Sequence, residues 1–223
     1  MWLFDIDGTL LNTRGAGREA MSLALRDEFG VVDDLSGIPF AGRTDPLIMS
    51  DALARHGLAL RDGDTDALWA RVGAHMRALM NPPRGSLLPG VPALLGALAT
   101  EPAWTRALLT GNATELARIK LAAFGVLDRF AWGAFGEEAA DRNELARLAV
   151  RRAAERQGVA PERCIVVGDT ELDVACARAA AAHCVAVATG GTARATLEAA
   201  GADLVLDDLS EPRRLLEWAG RLA

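Results

Sequence analysis

Short apolar runs recur along the chain, each stopping at a polar or glycine-rich turn. Trp2-Leu3-Phe4 runs into Asp5, residues 104–109 into Thr110-Gly111-Asn112, and residues 163–167 into Gly168-Asp169. Residues 184–188 end at Thr189-Gly190-Gly191, residues 204–206 end at Asp207-Asp208, and residues 130–135 form a weaker run. Helical stretches separate them, and this alternation predicts an α/β fold built on a parallel sheet. Such sheets take ligands beyond the carboxyl ends of their strands, where these turns fall. Between residues 14 and 84 the strand signal vanishes. The spacing there predicts helices over 18–29, 46–56 and 65–80, the last stopped by Asn81-Pro82-Pro83. An all-helical insertion is therefore expected between the first and second strands of the core.

Composition then excludes whole classes. Of 223 residues, 51% are hydrophobic and 24% charged, which suits a globular core and excludes disorder as the main theme. The 30 Asp and Glu outweigh 24 Lys and Arg, and a net charge of −6 argues against nucleic acid as a partner. No stretch reaches the roughly 18 apolar residues of a membrane span. Asp5 and Asp7 interrupt the N-terminus before a signal-peptide core can develop. Cys164, Cys176 and Cys184 are odd in number and lack metal-ligand spacing, so a cytoplasmic protein with reduced thiols is expected.

The chemistry gathers at three strand ends. Asp5 and Asp7, in Asp5-Ile6-Asp7-Gly8-Thr9-Leu10, put two carboxylates just past a buried strand. Unpaired there, they would suffer desolvation and mutual repulsion, and Mg²⁺ fits the need for a cation with oxygen ligands. A pair of turn-forming Asp residues is the plainer alternative. Gly168-Asp169-Thr170-Glu171-Leu172-Asp173 adds carboxylates one helical turn apart, although an acidic helix cap would look the same. Thr110-Gly111-Asn112 offers a hydroxyl and backbone amides that suit a phosphate or an ordinary cap equally well.

Taken in chain order, Asp-x-Asp-Gly-Thr-Leu, Thr-Gly-Asn and Gly-Asp-Thr-x-x-Asp resemble the first, second and fourth motifs of the haloacid dehalogenase-like superfamily. The nearest branch is the phosphoglycolate-phosphatase-like and β-phosphoglucomutase-like one, which Leu88-Pro89-Gly90-Val91 also resembles. The resemblance implies a Rossmann-like catalytic core of residues 1–13 and 85–223 and a helical cap of residues 14–84. It implies a Mg²⁺-dependent phosphatase acting on a small phosphorylated metabolite, as a monomer or small homo-oligomer. Asp5 would be the nucleophile forming an aspartyl-phosphate, and Asp7 the acid and base for the leaving group and water. Asp5, the Asp7 carbonyl and Asp169 would hold the metal, with Asp173 supporting it. Thr110, Gly111 and Asn112 would hold the phosphoryl oxygens, and Arg43 of the cap would reach the substrate. Dehalogenases lack the second carboxylate and phosphonatases use a cap lysine, so phosphate-ester chemistry is what remains. A sugar-phosphate mutase and a non-catalytic phosphate-binding module are the rivals.

Two further features need placing. Gly15-Ala16-Gly17-Arg18-Glu19-Ala20 matches a dinucleotide fingerprint, but it begins about ten residues after the first strand ends, and the fingerprint must follow its strand directly. It reads instead as the exit from core to insertion. The family's third motif normally supplies a lysine, whereas the matching stretch, Asp141-Arg142-Asn143-Glu144, has none. Arg142 is expected to take that role beside Asp5. Lys120, the only lysine, is expected to face solvent. His56, His75 and His183 are expected to be structural.

Overall fold

The computed structural model describes residues 1–59 and 64–222. Its main sheet centres on β1 (Trp2–Phe4), and a two-residue strand β2 (Leu11–Asn12) follows the first turn. Three helices come next, α1 (Ala16–Phe29), α2 (Asp45–Arg55) and α3 (Asp64–Leu79). The chain returns through β3 (Ser86–Leu87), which pairs antiparallel with β2. Neither β2 nor β3 was expected, since neither lies in an apolar run long enough to read as a strand. Then follow α4 (Val91–Ala99), β4 (Arg106–Leu109), α5 (Thr114–Ala123), β5 (Gly133–Ala134) and α6 (Arg142–Gln157). The remainder is β6 (Ile165–Gly168), α7 (Glu171–Ala179), β7 (His183–Val187), α8 (Arg194–Ala200), β8 (Leu204–Leu206) and α9 (Pro212–Gly220).

The six strands of the main sheet lie in the order β5-β4-β1-β6-β7-β8, all parallel, with helices on both faces. This is a Rossmann-like α/β fold. Period-two alternation explains why the strands read as unbroken apolar runs, because both faces are covered. Trp2, Phe4, Ile165, Val167, Val185 and Val187 pack on one face with α4 and α9. Leu3, Val166 and Ala186 turn to the other, against Leu145 and Ala149 of α6, Val174 of α7 and Leu197 of α8. Helices α1–α3 share a third apolar cluster, built from Met21, Leu25, Ile48, Leu53, Leu68 and Met76, which continues onto Ala113 and Leu116 at the start of α5. The helical segment thus rests on the turn after β4.

Because β4 and β6 flank β1 on opposite sides, their carboxyl ends converge with that of β1 at the point where the strand order changes direction. Asp5, Thr110 and Asp169 each follow one of these three strands.

Candidate active site

The floor of the site is a cluster of buried carboxylates. Oxygens of Asp5, Asp169 and Asp173 lie within 4.8 Å of one another. Asp5 stays in sheet register, its amide donating to the Val167 carbonyl at 2.9 Å. The turn beyond it needs a glycine: Gly8 has φ +78°, and a Cβ there would sit 2.4 Å from Asp169 Oδ2. Thr9 Oγ1 donates to Asp169 Oδ1 at 3.1 Å, and Thr189 Oγ1 donates to the Gly8 carbonyl at 2.6 Å, so the turn is locked to the neighbouring strand ends.

One guanidinium serves this floor. Arg142 is buried at the start of α6, where Asp141 caps the helix by accepting from the Glu144 amide at 2.9 Å. Its Nη2 lies 3.1 Å from Asp5 Oδ2 and donates to Asp173 Oδ1. Burial works against its charge, but Asp173 and Asp5 outweigh that and raise its pKa well above the usual value. Asp173 is fully enclosed, its Oδ2 accepting from the Thr170 amide at 3.0 Å and hydroxyl at 2.7 Å.

Three carboxylates against one guanidinium leave negative charge uncompensated. Burial, reinforced by Asp173 and Asp5, pushes Asp169 up to about 8. Burial likewise pushes Asp5 up to about 6, although Arg142 pulls the other way. Asp169 accepts only from Thr9 among the described residues, so it retains acceptor capacity. A buried cluster of hard oxygens with excess charge fits a divalent cation such as Mg²⁺. Asp173 is the member with least to offer, since its oxygens already accept from Arg142 and Thr170.

Above the floor opens a cavity of about 500 Å³, walled by the turns after β1 and β4, by residues 189–191, and by residues from the helical segment, including Arg18, Phe40 and Arg43. Gly111 and Asn112 line it, while Thr110 is fully buried beneath them, its Oγ1 accepting from Asn112 Nδ2 at 2.8 Å. Gly111 is where the helical segment presses on the core. A Cβ there would sit 2.1 Å from the Arg43 carbonyl, and the Asp45 amide donates to the Gly111 carbonyl at 2.7 Å. Arg43 lines the cavity, but its guanidinium is committed within its own segment, to Asp51 at 2.6 Å and the Pro39 carbonyl at 3.2 Å.

One expectation is overturned. Lys120 does not face solvent. It is 4% exposed, and its Nζ donates to Asp7 Oδ2 at 2.6 Å and to Asn112 Oδ1 at 2.5 Å. Burial opposes the charge, yet Asp7 and Asp45 outweigh it and raise the lysine. The signal was present in the helix: Leu116, Ala117, Lys120 and Leu121 share the buried face of α5 at one-turn spacing. Asp45 was missed as well, because a Thr-Asp-Pro start reads as an ordinary helix beginning. It is buried, its Oδ2 accepts from the Ala113 amide at 2.8 Å, and burial pushes it up to about 7. The histidines lie outside this cavity, with His56 paired to Asp33 at 2.7 Å, His75 to Asp27 at 2.8 Å and His183 to Asp203 at 3.4 Å.

The sequence model of the haloacid dehalogenase-like hydrolases matches residues 2–181. The chain belongs to this family. It is 30% identical over 227 residues to the phosphoglycolate phosphatase of Rhodospirillum rubrum, covering 98% of this chain and 90% of that one. It is 29% identical over 213 residues to the validoxylamine A 7'-phosphate phosphatase of Streptomyces hygroscopicus subsp. limoneus, covering 95% and 94%. Among solved structures, a predicted phosphoglycolate phosphatase from Haemophilus somnus superposes with a TM-score of 0.76 at 19% identity, covering 97% of each chain, and shares the fold. The chain thus stands in the phosphoglycolate-phosphatase-like branch, a branch of phosphoric monoester hydrolases. No helix among the described residues is long and apolar enough to cross a membrane.

Proposed function

We propose that the protein is a Mg²⁺-dependent phosphatase that hydrolyses a small phosphate monoester through an aspartyl-phosphate on Asp5. The observation that carries this reading is the buried Asp5 carboxylate at the mouth of β1, with Arg142 at 3.1 Å and with Asp7 on the cavity wall. Asp5 attacks phosphorus, the bond to the ester oxygen breaks, and Asp7 hands a proton to that oxygen. Asp7 then takes a proton from the water that splits the acyl phosphate. Arg142 keeps Asp5 ionised and aligned, and the backbone amide of Gly111 donates to a phosphoryl oxygen, joined by that of Asn112 once it gives up its bond to Thr110 Oγ1. Asp5, Asp169 and the Asp7 carbonyl would hold Mg²⁺, which supplies charge neutralisation for the in-line transfer, while Asp173 holds Arg142 in place. Residues 14–84 act as a cap on a core of residues 1–13 and 85–223, excluding bulk water when closed, and Arg43 reaches the leaving group by giving up its pairing with Asp51.

Relatives at about this identity are named for unlike substrates, phosphoglycolate and validoxylamine A 7'-phosphate, and the residues of the helical segment on the cavity wall are the ones placed to choose between leaving groups. A panel of alkyl phosphates and para-nitrophenyl phosphate, assayed for inorganic phosphate with Mg²⁺ and with excess chelator, tests the reading. Metal-dependent release is expected. With a hexose phosphate added to the panel, isomerised product without phosphate release would instead indicate a mutase, and no turnover of any member would refute an enzyme of this kind.

A further inference from the structure

We propose that Lys120 is a positioning residue for Asp7, a role separate from that of Arg142 at Asp5; the inference rests on the phosphatase reading above. The two cations divide the two catalytic carboxylates between them. Arg142 pairs with Asp5, whereas the hydrogen bonds of Lys120 go to Asp7 and Asn112. Asn112 Nδ2 also donates to Asp7 Oδ2 at 2.8 Å, so Lys120, Asn112 and Asp7 form a closed triangle. Both donors reach the same oxygen. Asp7 Oδ1 is left without a protein partner among the described residues, and the Asp7 side chain is 45% exposed where it lines the cavity. A carboxylate tethered by one oxygen is held in a single orientation while the other oxygen stays available for a proton exchange with the ester oxygen.

Packing does not explain a lysine at this position. Its neighbours on the buried face of α5 are Leu116, Ala117 and Leu121, and an unbranched apolar side chain would satisfy that face without the desolvation of an ammonium. The ammonium sits at the junction of core and helical segment, with the carboxylate of Asp45 on the α2 side adding to its field. The same Asp45 anchors α2 to the Gly111 and Ala113 backbone. The turn that carries Asn112 is therefore braced from both sides, and the orientation of Asp7 follows from it.

Acid assistance matters most when the departing oxygen is a poor leaving group, so the ratio of two activities reads the role directly. Lys120→Met should lower kcat on an alkyl phosphate that the wild type turns over by about a hundredfold, and on para-nitrophenyl phosphate by less than about tenfold. In the Asp7→Asn background the same substitution should cost little more. Lys120→Arg, which keeps the charge but moves the donors, should show the same selective loss in smaller measure, and it carries the test should the Met variant fail to fold. Equal losses on both substrates, full activity on both, or additive losses in the Asp7→Asn background would overturn the proposal while leaving the phosphatase reading intact. A wild type that hydrolyses neither the alkyl phosphates nor para-nitrophenyl phosphate would remove both.

Discussion

Asp5 and Asp169 are four-atom groups whose behaviour depends on what lies within a few ångströms. Asp5 is held in the sheet, and burial pushes its carboxyl up to about 6 against the pull of Arg142. Asp5→Asn should abolish phosphate release, because an amide cannot form the acyl phosphate, while the folded spectrum is retained. Residual wild-type turnover in that variant would exclude Asp5 as the nucleophile. Arg142→Ala leaves Asp5 and Asp173 buried without their shared partner, a type of loss that costs about 3–5 kcal/mol. The expected result is a lower urea midpoint together with a large drop in kcat. Arg142→Lys should recover part of the activity, since the charge returns without the forked donors. Whether both kcat and stability move together can be read from one set of purified variants.

At the scale of elements, the contact between α2 and the turn after β4 sets how the helical segment meets the core. Asp45 carries that contact from the first residue of α2, and its folded pKa of about 7 stands above the ordinary carboxylate value of 3.8. Between those pH values the folded state keeps a proton that the unfolded state has released, so stability falls as pH rises through this window. Asp45→Asn removes the titration and retains an oxygen to accept from the Ala113 amide. The variant should melt higher than the wild type at pH 8, with the difference shrinking toward pH 4. A constant difference across that range would assign the effect to something other than ionisation. Gly111→Ala tests the same contact sterically. Its Cβ would meet the Arg43 carbonyl backbone, so the α2 end must shift, and both a higher KM for an alkyl phosphate and a lower melting temperature are expected.

For the molecule as a whole, the proposed metal centre would tie folding to the cation. Mg²⁺ that binds only the folded chain should raise the melting temperature, by about 2.7 kcal/mol of added stability at a hundredfold excess over its Kd. Excess chelator should reverse it, and Asp169→Asn should abolish the shift. An unchanged melting temperature in saturating Mg²⁺ would rule out this cluster as the metal centre. Nearly all of the architecture behind it was legible in the chain, since each long strand announces itself by an apolar run and each helix of the insertion by its spacing. Strands β2 and β3 were not, because neither lies in an apolar run long enough to read as a strand. Of the residues gathered at the strand ends, Asp5, Asp7 and Asp169 stood out by their place after apolar runs and Arg142 only through the resemblance to the family's third motif, whereas Lys120 and Asp45 looked like an ordinary helix residue and an ordinary helix start.

Local pattern by itself determined the order of strands and helices, the insertion after β1, and which turns carry carboxylates. Those properties depend on neighbours in sequence, where burial on two faces demands unbroken apolar runs and tight turns demand glycine. The resemblance put Arg142 beside Asp5, but only the tertiary structure decided that Lys120 meets Asp7. Arg142 reaches Asp5 from 137 positions away and Lys120 reaches Asp7 from 113, distances over which no periodicity carries information. The physical reason is that charge pairing is settled by desolvation and separation in space. A lysine on the inner face of α5 becomes part of the site because the sheet brings the ends of β1 and β4 side by side, and α2 closes over them.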